Sequence, residues 1–385
     1  MKPIYKQVQP SVTMGLDQQA RELLAAGRDI INLTAGQVDL PIPQAGKKAV
    51  REALAEDRTG YVPATGSADV KAAVRARMGW QEGEVLISAG AKPLLNAAVV
   101  CLCGPGDQVI LPAPCYTSYP EMIRLAGGEP VIVFGDPDHD FIVSGETIER
   151  HITDRTKAIL LNNPVNPTGA VYGPEALREI VDICLFHDLY LIADEVYSSF
   201  VYEGGFVSLY DFSHVRDRLI LINSTSKTYA MAGLRLGYAV APAPVAKAMG
   251  AYLSHALGCP CSLSERAALA VLAMEDGYEQ ANRAIFRDRR DRLVENLSNI
   301  DVLKTKKNAG AFYLWIDVSK LDDDVAFCQK LLDLEGVALT PGSAFCCPGY
   351  VRLAYTKNMS ILLEAAERIK RFVRSNYNNS SGVNR

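Results

Sequence analysis

Short apolar runs rich in β-branched residues recur along the chain, and each gives way to a polar or glycine-bearing turn and then to apolar residues at helical spacing. Residues 85–88, 108–111, 129–134, 157–161, 189–193 and 219–222 read in this way as strands separated by helices or long connections. Helical spacing also marks residues 11–27, 44–57 and 67–78, and Pro93 is placed to open a further helix after the turn Ala89-Gly90-Ala91-Lys92. Strand and helix in alternation predict an α/β fold, a largely parallel sheet with helices on both faces. Ligands of such sheets bind beyond the carboxyl ends of the strands. Past about residue 275 the pattern changes. A charged helix over about 279–297, strands at 311–316, 337–339 and 350–355, and a last helix over about 360–373 predict a smaller α+β domain.

Composition narrows the function. The chain has 385 residues, 49% hydrophobic and 22% charged, which is ample for a large core and close to the globular average. A net charge of −4 offers no basic footprint for nucleic acid. Nine cysteines, with pairs such as Cys101/Cys103 and Cys346/Cys347 too closely spaced for zinc, fit reduced thiols and no metal site. No apolar run reaches the roughly 18 residues of a membrane span and the first residues lack an apolar signal core, so a soluble cytoplasmic protein is expected.

Chemistry concentrates just past the strand ends. After the apolar run 218–222 comes Asn223-Ser224-Thr225-Ser226-Lys227, with Arg235 eight residues beyond the lysine. Hydroxyls and a guanidinium around one amine suit an anionic phosphate beside a lysine that forms an imine with an aldehyde. An exposed surface lysine is the plain alternative. Ser224-Thr225-Ser226-Lys227 also fits the S-x-x-K pattern of serine acyl enzymes, but the S-D-N and K-T-G elements that accompany it are absent from the sequence. Residues 189–193 run into Asp194-Glu195-Val196-Tyr197, where the buried acid needs a partner: a protonated ring nitrogen, an arginine or a helix cap. Asn162-Asn163-Pro164-Val165-Asn166-Pro167-Thr168-Gly169 is a proline-fixed loop in which Asn166 can hold a ligand oxygen. Tyr116 and Tyr119 follow the run 108–111, and one of them can stack on a flat ring. The turn at Ala91 and Lys92 has the strand–turn–helix form that binds phosphate through free N–H groups. Gly36 follows a short strand at 30–33, as a turn glycine or as a close approach of backbone to ligand. Arg352 is a charge within a strand pattern, with a fork that matches a carboxylate.

In order and spacing, Asn163-Pro164-x-Asn166-Pro167-x-Gly169, Asp194-x-x-Tyr197, and Ser224-x-x-Lys227 with Arg235-x-Gly237 resemble the fold-type I pyridoxal-phosphate aminotransferases, most closely the class I prokaryotic aspartate aminotransferases. The resemblance covers nearly the whole chain. It implies a PLP-binding large domain over residues 36–275, a small domain over 276–374 with which residues 1–35 pack, and a flexible tail over 375–385. It further implies that Lys227 carries the cofactor and shuttles the reacting proton, and that Asp194 pairs with the ring nitrogen. Tyr197 and Asn166 would bind the ring oxygen, and Tyr116 would stack on the ring where relatives often have tryptophan. Phosphate would lie on Ala91, Lys92, Ser224 and Arg235, with Tyr61 arriving from the second subunit of a homodimer. Arg352, Asn166 and Gly36 would hold the substrate α-carboxylate. Lys92 and Thr13 match positions that hold a distal carboxylate, which favours aspartate or another acidic amino donor with 2-oxoglutarate as acceptor. Gln37-Val38-Asp39-Leu40 and Cys115-Tyr116 depart from the family pattern, so aromatic or neutral substrates stay open. So do a β-lyase or biosynthetic PLP reaction and, remotely, a non-catalytic sensor.

Overall fold

A computed structural model of the chain describes residues 12–377 other than Asp276, Asp301 and Asp322. Its strands are β1 (Ile31–Asn32), β2 (Glu84–Ser88), β3 (Gln108–Ala113), β4 (Glu129–Phe134), β5 (Thr156–Asn162), β6 (Tyr190–Asp194), β7 (Leu219–Ser224), β8 (Gly237–Ala241), β9 (Tyr313–Asp317), β10 (Val337–Ala338), β11 (Thr340–Pro341) and β12 (Tyr350–Ala354). Seven of them form one sheet in the order β2-β8-β7-β6-β5-β3-β4. Pairing is parallel from β7 through β6, β5 and β3 to β4, and β8 alone runs against its neighbours β7 and β2. The expected fold class holds, with this single reversed strand.

Both faces of the sheet are dry along its inner strands, which is why these read as continuous apolar runs rather than as alternation, while the edge strand β4 is more open. Ile87, Ile110, Ile159, Leu191, Leu221 and Val240 enter the core on one side. Their chain neighbours Leu86, Val109, Leu160, Ile192, Ile220 and Ala239 enter the core on the other. A third core packs the antiparallel sheet β11-β12-β9 against the helices Gly277–Leu297, Asp324–Glu335 and Met359–Tyr377. The segment at the start of the described chain joins this third part: β1 pairs in parallel with β10, and Ala20 and Ile30 pack with Leu332 and Ala338.

Several boundaries differ from the sequence reading. The run 337–339 shortens to β10, and β11 follows it as a separate short strand. The last helix continues to Tyr377, past the expected end at 373 and into the stretch expected to be tail; residues 378–385 lie outside the described residues. The helix expected to open at Pro93 starts at Ala91, because proline is tolerated in a first turn, where its missing N–H has no helical partner. Among the described residues, no helix is long and apolar enough to cross a membrane.

Candidate active site

Strands β5, β6 and β7 of the large sheet end at one cavity of about 310 Å³, the segments that follow β2 and β3 reach it, and β9 and β12 each add a side chain from the smaller sheet. Asp194 is the last residue of β6, in register with Asn162 at the end of β5 and Ile222 near the end of β7. Ser224 closes β7, and Thr225–Thr228 follows as a single helical turn rather than an open loop, with Ser224 capping it through a bond from the Ser226 N–H. That turn aims Lys227 into the cavity.

The Lys227 amine donates to the Gly36 carbonyl at 2.6 Å. Burial, and then the charges of Arg352 and Arg235, hold its pKa down to about 8, while Asp194 pulls weakly the other way. Asp194 is 4% exposed, and burial pushes its carboxyl up to about 6 against a 2.6 Å hydrogen bond from the Tyr119 hydroxyl and a 3.2 Å bond from the Val196 N–H. Of the alternatives open in the sequence, neither an arginine nor a helix cap holds it: a phenol does. Among the described residues no cation is ion-paired with the acid, and the Lys227 charge only favours its ionised form.

The deep wall is equally dry. Arg352 is 3% exposed; one arm donates to the Asn166 side-chain oxygen at 2.9 Å and another to the Thr34 carbonyl, while its Nε has no partner. The guanidinium lies over the rings of Tyr313 and Phe345, 4.5 and 4.7 Å from their centroids. Among the described residues no carboxylate is paired with it, so a buried cation faces the cavity without its counter-ion. Asn166 also reaches the Tyr197 hydroxyl at 3.5 Å, and Tyr197 and Tyr313 share a hydrogen bond of 2.9 Å. Burial raises Tyr197 well above its ordinary value and Tyr313 above its own, so both stay protonated and can donate. Gly36 has to be glycine here, since a side chain would overlap the Tyr313 hydroxyl.

The opposite end is open. The helix Ala91–Leu102 begins there with Gly90 as its cap, which supplies no side-chain acceptor to the leading N–H groups. Arg235, exposed and in the left-handed conformation at φ +54°, fills the space a side chain at Gly90 would need and bonds the Ala232 and Ala89 carbonyls. Lys92 extends over the Tyr116 ring at 5.4 Å from its centroid, and Tyr116 meets Tyr119 edge to face. The N–H groups, Ser224, Ser226 and Arg235 form a cradle suited to an anion.

Thus Gly36, Ala91, Lys92, Tyr116, Asn166, Asp194, Tyr197, Ser224, Lys227, Arg235 and Arg352 line one cavity. Tyr61 does not; it is 100% exposed. Thr13 falls in the first helix, Val12–Ala25, and its side chain lies outside the described residues. Sequence reasoning missed the roles of Tyr119, Tyr313, Thr34 and Asp17. Tyr119 had a visible signal, its position three residues after Tyr116 at a helix start. Asp17 also lines the cavity, where its carboxylate bonds Asn32 and Arg21 at 2.7 Å each. No group of three or more metal-ligating side chains occurs among the described residues.

An amine, an acid and an unpaired guanidinium held together out of water make a site for chemistry on small amino and oxo acids. The family model described as aminotransferase class I and II matches residues 28–369, and the chain belongs to that family. It is a transaminase of the class I, aspartate aminotransferase-like kind. It is 37% identical over 373 residues to a probable aspartate/prephenate aminotransferase of Thermus aquaticus, covering 94% of this chain and 96% of that one. It is 35% identical over 378 residues to an aspartate aminotransferase of Bacillus subtilis, covering 94% and 96%. The solved structure of Thermus thermophilus aspartate aminotransferase with maleate superposes with a TM-score of 0.92 at 35% identity, over 97% of this chain and 99% of that one. The family is generally PLP-dependent.

Proposed function

We propose that the protein moves an amino group from aspartate or another acidic L-amino acid to a 2-oxo acid such as 2-oxoglutarate, with pyridoxal 5'-phosphate held by the residues of this cavity. The observation that carries the reading is Arg352, a buried guanidinium with an unpartnered Nε and no carboxylate beside it, as a binder of an α-carboxylate would be left before substrate arrives.

The cavity fits the cofactor. Asp194, a buried acid with no ion-paired cation among the described residues, matches a protonated ring nitrogen; Tyr197 and Asn166 offer donors for a ring oxygen; Tyr116 offers a face. Ala91, Lys92, Ser224 and Arg235 offer the phosphate cradle. When bound, the cofactor supplies an aldehyde that accepts the amino group and a ring that draws electrons from the reacting carbon. Lys227, its pKa lowered to about 8, takes the proton from the substrate α-carbon and returns one to the product. Arg352 and Asn166 fix the α-carboxylate, and the Gly36 carbonyl holds the lysine amine in place. Tyr61, wholly exposed on its own chain, reaches the phosphate end of a second copy, so the active form is a homodimer with shared sites.

An acidic donor is supported by Lys92, which is free of carboxylate partners among the described residues and leans over the cavity wall. Asp17 brings an opposing charge, but Asn32 and Arg21 already bind its oxygens. A single-turnover spectral screen of the cofactor-loaded protein against amino acids tests the reading: fast amination of the cofactor is expected with aspartate or glutamate. Fast amination only by an aromatic or neutral acid would replace the substrate, and none by any would move the reading to elimination or another PLP reaction. Lys92→Ala should slow acidic donors by about tenfold relative to neutral ones, on the order of one exposed-to-buried charged hydrogen bond; equal losses for both classes would leave Lys92 no part in substrate choice.

A further inference from the structure

Cys115 lies in the loop between β3 and the helix Ser118–Ala126, immediately before Tyr116 on the cavity wall. Cys346 lies on the far side of the domain junction, at the end of the turn Gly342–Phe345 whose last residue packs beneath Arg352. The chain brings the two together. The Cys115 N–H donates to the Phe345 carbonyl at 3.3 Å, Cys346 packs against the core that contains Cys115, and the two side chains are near enough for the Cys115 thiol to act on the Cys346 sulfur as a donor. Cys115 is 3% exposed and Cys346 only partly buried, so Cys346 is the more accessible residue of the pair.

We propose that Cys115 and Cys346 are an oxidation site, closing to a disulfide that ties the Tyr116 loop to the turn under Arg352 and slows turnover; the effect on turnover rests on the aminotransferase reading above. The oxidant is a peroxide. The Cys346 thiolate attacks one peroxide oxygen, the O–O bond breaks, and sulfenic acid and hydroxide result, the hydroxide becoming one water with the proton that the thiol had released to solvent. The Cys115 sulfur then attacks the sulfenic sulfur, the S–O bond breaks, and the Cys115 proton leaves with the hydroxide as a second water. Two thiols are oxidised and one peroxide is reduced to two waters. The division of labour follows from the surroundings: the bond from Cys115 pulls the Cys346 thiol below its ordinary pKa, burial opposes this, and the Arg124 charge adds to it. Donating that bond and being buried push Cys115 up, so it stays a thiol until the sulfenic acid forms.

The test treats the cofactor-loaded full chain with hydrogen peroxide, blocks remaining thiols with N-ethylmaleimide and maps the digest by mass spectrometry. The expected result is a linked peptide pair carrying Cys115 and Cys346, lighter by two hydrogens than its reduced parts, formed as most turnover is lost, with both reversed by dithiothreitol. Cys346→Ser should show neither the link nor the reversible loss, while its untreated turnover stays close to that of the parent. Cys346→Gly serves the same purpose if serine disturbs the turn, because the backbone there is at φ +64°, which glycine adopts freely. Absence of the Cys115–Cys346 peptide, or reversible loss that persists in both variants, would overturn the proposal. Linkage with unchanged turnover would overturn its effect on the site. The peptide readout does not depend on activity, so a failure of the aminotransferase reading would be seen separately.

Discussion

At the end of the cavity where the helix Ala91–Leu102 starts, the side chains are open to solvent: Lys92 and Arg235 are exposed and Tyr116 is half-buried. At the other end Arg352, Tyr313, Thr34 and Asn166 are between 1% and 4% exposed and bonded to one another or to neighbouring carbonyls. The deep end is thus set within one chain, by packing that leaves a charge waiting for a ligand. The open end has its donors in place but lacks a cover, which is what a second copy carrying Tyr61 would provide. Lys227 stands between the two, its amine tied to backbone on the deep side and its pKa lowered first by burial and then by an arginine from each.

The largest effect expected is at that middle position. Lys227→Ala should abolish the visible absorbance of the lysine-bound cofactor and lower turnover by about 10⁴-fold or more, the upper range for a positioned general base. Normal turnover in this variant would end the central reading, whatever became of either end.

Arg352→Lys sharpens the comparison from the deep side. It keeps a charge but loses the planar fork, at a cost of about 2 kcal/mol, or roughly 30-fold in kcat/KM for every amino acid. An open-end substitution would not have that signature, so a loss confined to acidic donors would show that Arg352 does not hold the common carboxylate.

A smaller effect is expected at Tyr119, and it depends on pH. Burial keeps the Asp194 carboxyl protonated up to about pH 6 in the folded chain, above its ordinary 3.8. Between those values the folded chain binds more protons than the unfolded one, so the cofactor-free protein loses stability from Asp194 as pH rises through that window. The Tyr119 hydroxyl favours the charged form and limits the loss. Tyr119→Phe should therefore cost about 1 kcal/mol more at about pH 7 than at about pH 5, measured by urea unfolding of the cofactor-free protein. Equal costs at both pH values would make Tyr119 a packing residue.

Much of this was legible in local sequence. The apolar runs became the strands of the large sheet, because burial on both faces removes alternation and leaves length and β-branching as the signal. Lys227, Ser224 and Arg235 stand in one short stretch, and Asp194 and Asn166 each sit in a strand-end motif, so their chemistry could be read before their contacts. Arg352 was visible as a charge where a strand should be apolar. The partner of Asp194 was not, since a phenol at a helix start carries no mark of the acid it will meet 75 positions later. Tyr313, likewise, reads as one more aromatic in a core strand until Gly36, Tyr197 and Arg352 are folded around it.

By itself, then, the sequence determined the α/β class, the order of strands and turns, and the residue types able to hold an anion, an amine and an acid, because those depend on period and on neighbours in the chain. Only the tertiary structure decided that β8 runs against the sheet, that Lys227 rests on the Gly36 carbonyl, that Arg352 lies buried without a counter-ion, and that Cys115 meets Cys346. These are contacts between residues far apart in the chain, and their energies come from burial and pairing that exist only once the separate elements have packed.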